Sequence, residues 1–158
     1  MMEYRLEPLD PAEMIRDVVA GFQEEVTERG YRIELNVNGT GCMVRADREA
    51  LGRALWNLLD NAVKYSPECQ TVWVDVAQNG RELTIQVRDH GVGMGPNEQG
   101  QIFKKFVRGA AAQAAGVKGT GIGLATVDHI VRAHGGEVRV ESEPGRGSTF
   151  SIVLPVME

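Results

Sequence analysis

Apolar residues recur at helical spacing in three stretches of the chain. The first follows Asp10 and Pro11, a carboxylate N-cap and a proline at the first helical position, and Gly30 marks its end. The second covers residues 47–65 and the third covers residues 121–134, with apolar side chains three or four residues apart. This pattern predicts three amphipathic helices, each with one buried face.

Shorter stretches alternate between apolar and polar residues, as half-buried strands do. Asn79 and Gly80 separate two of them, and Asn-Gly is a strong signal for a β-hairpin. The predicted strands cover residues 31–37, 42–45, 71–77, 82–88, 137–142 and 148–154. Together the elements predict an α+β fold, a two-layer α/β sandwich with a mixed, mostly antiparallel sheet and about three helices on one face.

Residues 91–121 follow neither pattern. This stretch contains eight glycines, a proline and a run rich in alanine. Loops this long inside a compact domain are uncommon and often serve function as lids. We therefore expect a lid between the strand that ends near residue 88 and the third helix.

Composition narrows the function classes. The chain has 158 residues, 42% of them hydrophobic and 25% charged, which fits one domain over residues 1–158. A net charge of -5 argues against nucleic-acid binding, and no apolar run approaches the ~18 residues of a membrane span. Cys42 and Cys69 fit packing roles in a reducing compartment. We expect a cytoplasmic domain, monomeric as an isolated chain, without nucleic-acid or membrane contact.

The second helix places Asn57, Asn61 and Lys64 on one stripe beside its apolar face. Amide oxygens suit a hard cation, and an ammonium suits phosphate. A solvated helix flank is the alternative interpretation of these three residues taken alone. Asparagine is a mediocre helix former, however, so two in successive turns suggest a task.

Two glycine-rich segments flank the predicted lid. Asp89 ends a strand and is followed at once by the glycines of 91–95, so that a flat ligand could approach the backbone closely. An Asp-Gly turn is the alternative. Residues 119–124, Gly-Thr-Gly-Ile-Gly-Leu, open the third helix, where free N–H groups favour an anion, although a flexible hinge remains open too. Residues 119–124 form neither a Walker A loop nor a dinucleotide-binding fingerprint after a strand.

Taken together, these segments resemble the motifs of sensor histidine kinases. Residues 57–66 are similar to the N box, 89–93 to the first glycine box and 102–106 to the F box. Residues 119–124 resemble the second glycine box, and 147–150 the last glycine motif. The resemblance covers about residues 3–155. It implies the Bergerat-type ATP-binding fold, shared with gyrase, Hsp90 and MutL-type ATPases.

The resemblance implies ATP and Mg²⁺ as cofactors and a role for each matching residue. Asp89 would accept the adenine amino group, and Asn61 would ligate Mg²⁺. Asn57, Asn61, Lys64 and Arg108 are assigned to catalysis. The residues assigned to the nucleotide are Asn61, Lys64, Tyr65, Asp89, Gly91, Val92, Gly93, Met94, Phe103, Phe106, Gly119, Thr120, Gly121, Ile122, Gly123, Leu124 and Thr149.

The residue at position 57 separates phosphoryl transfer from ATP hydrolysis. Hydrolytic relatives have a glutamate four residues before the magnesium asparagine, whereas this chain has Asn57, which cannot act as a base near neutral pH. The predicted activity is therefore donation of the γ-phosphate of ATP to a histidine in two-component signal transduction. A free-standing anti-sigma-type serine kinase and a non-catalytic nucleotide-binding interaction module are the alternatives. A hydrolytic ATPase is disfavoured.

The family's phosphoacceptor histidine lies in an H box on a dimerising helical hairpin. His90, His129 and His134 lack that context, and the last two suit surface or helix-end positions. We therefore expect the catalytic domain of a larger kinase, which cannot autophosphorylate by itself. Its expected partners are the phosphoacceptor hairpin of a homodimeric parent and a response regulator. An anchor of the parent in the inner membrane is left open.

Overall fold

The computed structural model describes residues 4–38, 41–64, 66, 69–90, 120–143 and 147–157. These residues form seven strands and three helices. In chain order they are β1 (Glu7–Leu9), α1 (Pro11–Thr27), β2 (Arg32–Asn38), β3 (Val44–Ala46), α2 (Arg48–Lys64), β4 (Thr71–Asn79), β5 (Glu82–Asp89), α3 (Thr120–Ala133), β6 (Glu137–Glu143) and β7 (Gly147–Pro155). The three predicted helices and six predicted strands are confirmed. Residues 91–119 of the predicted lid lie outside the described part of the chain.

Acidic N-caps start the first two helices. The Asp10 carboxylate accepts the N–H of Ala12 at 3.0 Å, and the Asp47 carboxylate accepts the N–H of Ala50 at 3.1 Å. Each cap satisfies a backbone donor that the first turn of a helix leaves without a partner. Asp10 was predicted in this role, and Asp47 was predicted as the start of α2.

The main sheet has five strands in the order β2-β4-β5-β7-β6. β2 and β4 are parallel, and the other three pairs are antiparallel. Gly80, at φ +64°, closes the β4–β5 hairpin where Asn-Gly predicted it. β3 pairs with β1 in a separate two-stranded sheet. β1 was not predicted, because three residues are too few to show alternation.

The core lies between the main sheet and the helices. Cross-strand neighbours such as Val74, Val87 and Phe150 present buried side chains on one face of the sheet. α2 and α3 cover that face with their own fully buried residues, while Gln86 and Arg88 of β5 are exposed on the opposite face. The predicted sandwich with helices on one face is therefore confirmed. None of the described helices is long and apolar enough to cross a membrane.

Both cysteines are free thiols. Cys42 is buried in the core and Cys69 is half-buried. Burial raises the pKa of the Cys42 thiol above its ordinary value, which disfavours the reactive thiolate. Packing explains Cys42 without any chemical role.

Candidate functional site

The end of α2 and the end of β5 lie at the same end of the sandwich. Tyr31, which precedes β2, donates its hydroxyl to the carbonyl of Ser66 at 2.9 Å, just beyond α2. β2 and β4 are parallel and begin there together, and β5 returns antiparallel to β4, so Asp89 closes β5 at this end. We call this end, with Asn61, Asp89 and Gly147, the site end.

α3 begins at the site end as well. α2 and α3 pack against each other, and the N–H of Asp47 before α2 donates to Nε2 of His134 after α3 at 3.0 Å. The two helices are therefore antiparallel. At 1.5 Å per residue, Asn61 lies ~21 Å along α2 from Asp47, and Thr120 lies ~21 Å along α3 from His134. The first turn of α3 is therefore level with Asn61.

Asn61 is the most unusual side chain at the site end. It is 3% exposed, and its Oδ1 has no hydrogen-bond partner among the described residues. A buried acceptor without a partner costs about 1–3 kcal/mol, so such atoms need an explanation. The described residues contain no cluster of three or more His, Cys, Asp or Glu side chains that could hold a metal. A cation here would therefore rest on amide oxygen and on the ligand's own oxygens.

Asn57 and Lys64 flank Asn61 on the same stripe of α2. Asn57 is half-buried, and Lys64 is exposed at the last turn. The Lys64 ammonium lies 3.6 Å from a carboxylate oxygen of Asp60, and each side chain is 45% exposed. An exposed pair of this kind is weak, so an incoming anion competes easily for Lys64. The structure thus gives Asp60 an ion-pair partner in Lys64.

Asp89 is a buried carboxylate held by the start of β7. It is 2% exposed, it lies on the helix-covered face of β5, and its Oδ1 accepts the N–H of Ser148 at 3.3 Å. Gly147 adopts φ +95°, and a Cβ at that position would lie 2.1 Å from the carbonyl oxygen of Asp89. Only glycine fits this approach. Gly147 and Ser148 were absent from the predicted site residues, although their glycine motif was a usable signal.

Leu124 and Thr149 lie on the elements that were predicted to supply them. Leu124 is buried in the first half of α3 at 2% exposure. Thr149 is half-buried and lies opposite Arg88 across the β5–β7 pair. Its side chain is therefore on the same face of the sheet as Arg88, whereas the side chain of Ser148 is on the same face as Asp89. The role of Thr149 toward adenine stays a prediction.

The remaining predicted site residues lie wholly or partly outside the described part of the chain. Of Thr120, Gly121, Ile122 and Gly123, the structure describes the backbone as the first turn of α3 but not the side chains. The residues that lie wholly outside the described part are Tyr65, Gly91, Val92, Gly93, Met94, Phe103, Phe106, Arg108 and Gly119. Their assignments stay predictions.

The three histidines occupy different environments. His90 is exposed and packs edge-on against Trp73 with ring centroids 4.7 Å apart. His129 is exposed on α3 and lies 2.8 Å from the hydroxyl of Tyr4. His134 stands at the helix end as expected but is only 5% exposed, with both ring nitrogens in contact with backbone atoms. Sequence reasoning missed the contact between His134 and Asp47, because Asp47 lies 87 residues away in the chain.

Comparison with known families matches residues 46–158 to the histidine kinase-, DNA gyrase B- and HSP90-like ATPases. The sensor-like histidine kinase SenX3 of Mycobacterium tuberculosis is 40% identical over 114 residues, which is 72% of this chain and 28% of that protein. The histidine-protein kinase/phosphatase MprB of Mycolicibacterium smegmatis is 40% identical over 154 residues, which is 94% of this chain and 30% of that protein. This chain therefore spans less than a third of either relative.

Solved structures agree with the family match. Full-length ShkA in complex with AMPPNP superposes with a TM-score of 0.80 at 31% identity, covering 98% of this chain and 32% of that one. The structure of the mycobacterial sensor histidine kinase MprB superposes with a TM-score of 0.75 at 33% identity, covering 96% of this chain and 97% of that one. The catalytic domain of the histidine kinase ThkA, at 21% identity and 0.78, shares the fold.

Proposed function

This chain belongs to the histidine kinase-, DNA gyrase B- and HSP90-like ATPases, and we propose that it is the catalytic domain of a sensor histidine kinase. It binds ATP with Mg²⁺ and donates the γ-phosphate to a histidine on a separate domain of the parent protein. The observation that carries the proposal is the buried Asn61 Oδ1 that lacks a partner among the described residues. That atom belongs to the site end, where Asp89 and the start of α3 also lie.

The donor chemistry of Asn61 fits a magnesium ion. Mg²⁺ binds through few protein oxygens and keeps waters and substrate phosphates as its other ligands. Asn61 would supply one amide oxygen, with Asn57 half-buried one turn earlier. When bound, the ion would neutralise phosphate charge together with Lys64, the cation in the last turn of α2.

Asp89 gives the site its preference for adenine. The exocyclic amino group of adenine donates a hydrogen bond, and a buried carboxylate is a strong acceptor. Guanine carries a carbonyl at the same position, so it would leave Asp89 facing a second acceptor. The Ser148 N–H and the close approach of Gly147 hold Asp89 in place for this role.

The phosphates belong at the start of α3. The first N–H groups of a helix lack partners within the helix and attract anions. Lys64 adds a charge from α2 once phosphate displaces Asp60. From the sequence, we propose that Arg108 and the glycine-rich segment before α3 also bind the phosphates.

Transfer is favoured over hydrolysis because no general base stands at position 57. Asn57 has an amide where a water-activating glutamate would be needed. Phosphoryl transfer depends mainly on positioning and charge neutralisation, which this site supplies without a base of its own. The acceptor would be the histidine hairpin of the parent kinase, and a response regulator would receive the phosphate next.

The test is a transfer assay with γ-labelled ATP, Mg²⁺ and a phosphoacceptor hairpin from a sensor histidine kinase of this family. We expect label on the hairpin in an acid-labile, alkali-stable form, as phosphohistidine gives, and slow phosphate release without the hairpin. The Asp89→Asn variant should lose the transfer.

Three other results would overturn the proposal. Fast phosphate release without the hairpin would indicate a hydrolytic ATPase. Acid-stable label on a supplied protein would indicate a serine kinase. ATP binding without either reaction, in the presence of the hairpin histidine, would favour the non-catalytic interaction module.

A further inference from the structure

His134 makes two backbone contacts that require one protonation state. Its Nδ1 lies 2.7 Å from the carbonyl oxygen of Ile130, and its Nε2 lies 3.0 Å from the backbone nitrogen of Asp47. The carbonyl can only accept and the N–H can only donate. Both contacts are therefore satisfied by the neutral ring with its proton on Nδ1.

The Asp47 contact fixes the start of α2. The Asp47 carboxylate caps α2 through the N–H of Ala50 at 3.1 Å and also accepts the N–H of Arg5 at 3.0 Å. His134 adds a bond from the end of α3 to the backbone of the same residue. The ring of Tyr4 lies 5.6 Å from the His134 ring and helps to close this end. We call the end formed by Tyr4, Asp47 and His134 the latch end.

A helix transmits a shift at one end to the other. Its backbone hydrogen bonds make it stiff along its axis, so a displacement at Asp47 is carried the ~21 Å to Asn61. Apolar side chains dominate the contact between α2 and α3, and apolar attraction has no fixed direction. The His134–Asp47 hydrogen bond is directional, so it adds a fixed distance between the start of α2 and the end of α3 to the packing of the two helices.

We propose that His134 is a positioning residue for nucleotide binding. Its bond to Asp47 sets the register of α2 against α3 and thereby the separation between Asn61 and the first N–H groups of α3. This inference rests on the proposed function, because it concerns the same ATP·Mg²⁺ site. Displacements of about 1 Å at such sites are known to have large effects on activity, so register at the latch end matters at the site end.

Two amide substitutions separate the two contacts of His134. In His134→Gln the side-chain oxygen reaches the position of Nε2 and keeps an acceptor for Asp47. In His134→Asn the amide nitrogen takes the position of Nδ1 and keeps a donor for Ile130, but the bond between the helices is lost. His129→Asn is the control, because His129 is exposed on the same helix and its ring contacts Tyr4 instead of Asp47.

Calorimetric titration of ATP with Mg²⁺ is the first readout, at a temperature where thermal unfolding shows each variant to be folded. We expect about tenfold weaker binding for His134→Asn, and binding within threefold of wild type for His134→Gln and His129→Asn. Binding by folded His134→Asn equal to that of wild type would overturn the inference. So would equal losses in the Asn and Gln variants, since those indicate a merely structural role.

The side-chain amide signal of Asn61 in ¹⁵N NMR is a second readout that needs no nucleotide. It should shift in His134→Asn and stay in place in His134→Gln. If wild type binds no ATP, the proposed function fails, and an unshifted Asn61 signal in His134→Asn would separately reject the register claim. An Asn61 shift would support the register claim even then.

Discussion

The two ends of the helix layer differ in one buried polar atom, the Oδ1 of Asn61 at the site end. At the latch end, both ring nitrogens of buried His134 have backbone partners, and the half-buried Asp47 carboxylate accepts two N–H groups. At the site end, the Asn61 oxygen is buried with no partner among the described residues. The fold itself satisfies the polar groups that join the helices at the latch end, and we propose that a ligand supplies the partner of Asn61 at the site end.

Gly147→Ala should disrupt the site end most. The new Cβ would lie 2.1 Å from the Asp89 carbonyl oxygen, at a φ of +95° that alanine avoids. We expect a loss of about 3 kcal/mol or more in the free energy of unfolding, together with weaker ATP binding. Urea denaturation measures the first effect and calorimetry the second.

Gly80→Ala is the matched control for Gly147→Ala. Gly80 also has a positive φ, +64°, but a Cβ added to it would meet no atom within 4 Å, and it is in the hairpin turn far from Asp89. The substitution should cost only about 1 kcal/mol and leave ATP binding unchanged. Equal costs for the two variants would show that the contact with Asp89 has no special weight.

Asn61→Leu sharpens the contrast between the ends. Removing a buried acceptor that lacks a partner is nearly neutral or stabilising, so we expect the free energy of unfolding to stay within about 1 kcal/mol of wild type. Phosphoryl transfer should nevertheless fall about 100-fold, which corresponds to ~2.7 kcal/mol. A large loss of stability would show instead that Asn61 has a structural partner.

The Asp47→Asn substitution tests the latch end through the pH dependence of the free energy of unfolding. The N–H of Arg5 and the N–H of Ala50 hold the pKa of Asp47 below its ordinary value. The folded-state pKa is depressed, so this stability is present above the unfolded pKa of ~3.9 and is lost as pH falls through the folded value. Asparagine caps a helix about as well as aspartate, so the variant should lose only the contribution of the charge, about 0.5 kcal/mol at pH 7. Its stability should also fall less steeply below pH ~5 than that of wild type, as urea midpoints across pH would show.

Asp60→Asn should have the smallest effect. The Asp60–Lys64 pair is exposed, so its loss should change the free energy of unfolding by only about 0.3 kcal/mol. ATP affinity should remain within about threefold of wild type or improve, because Lys64 no longer needs to leave a carboxylate. A loss of more than tenfold in affinity would place Asp60 in the site instead.

Local signals in the sequence were enough to predict most of the fold. The Asp10 cap, the Asn79-Gly80 turn and the apolar stripes each depend on residues close together in the chain. β1 was missed because its pairing with β3 spans more than thirty residues and leaves no local pattern.

The sequence named candidate site residues but gave no indication of their burial or hydrogen bonds. Asn61 and Asp89 were identified from their motifs, but burial of the Asn61 oxygen and the bond from Ser148 depend on how distant elements pack. His134 carried no signal for its contact with Asp47, since neither residue's type predicts a partner 87 positions away.

Calorimetric titration of ATP with Mg²⁺ into this chain, with GTP and the Asp89→Asn variant as controls, decides whether the site end binds an adenine nucleotide. We expect ATP to bind to wild type, GTP not to bind, and the Asp89→Asn variant to lose affinity for ATP. If folded wild type binds no ATP at millimolar concentration, or binds GTP equally well, the assignment of an adenine nucleotide to the site end is wrong.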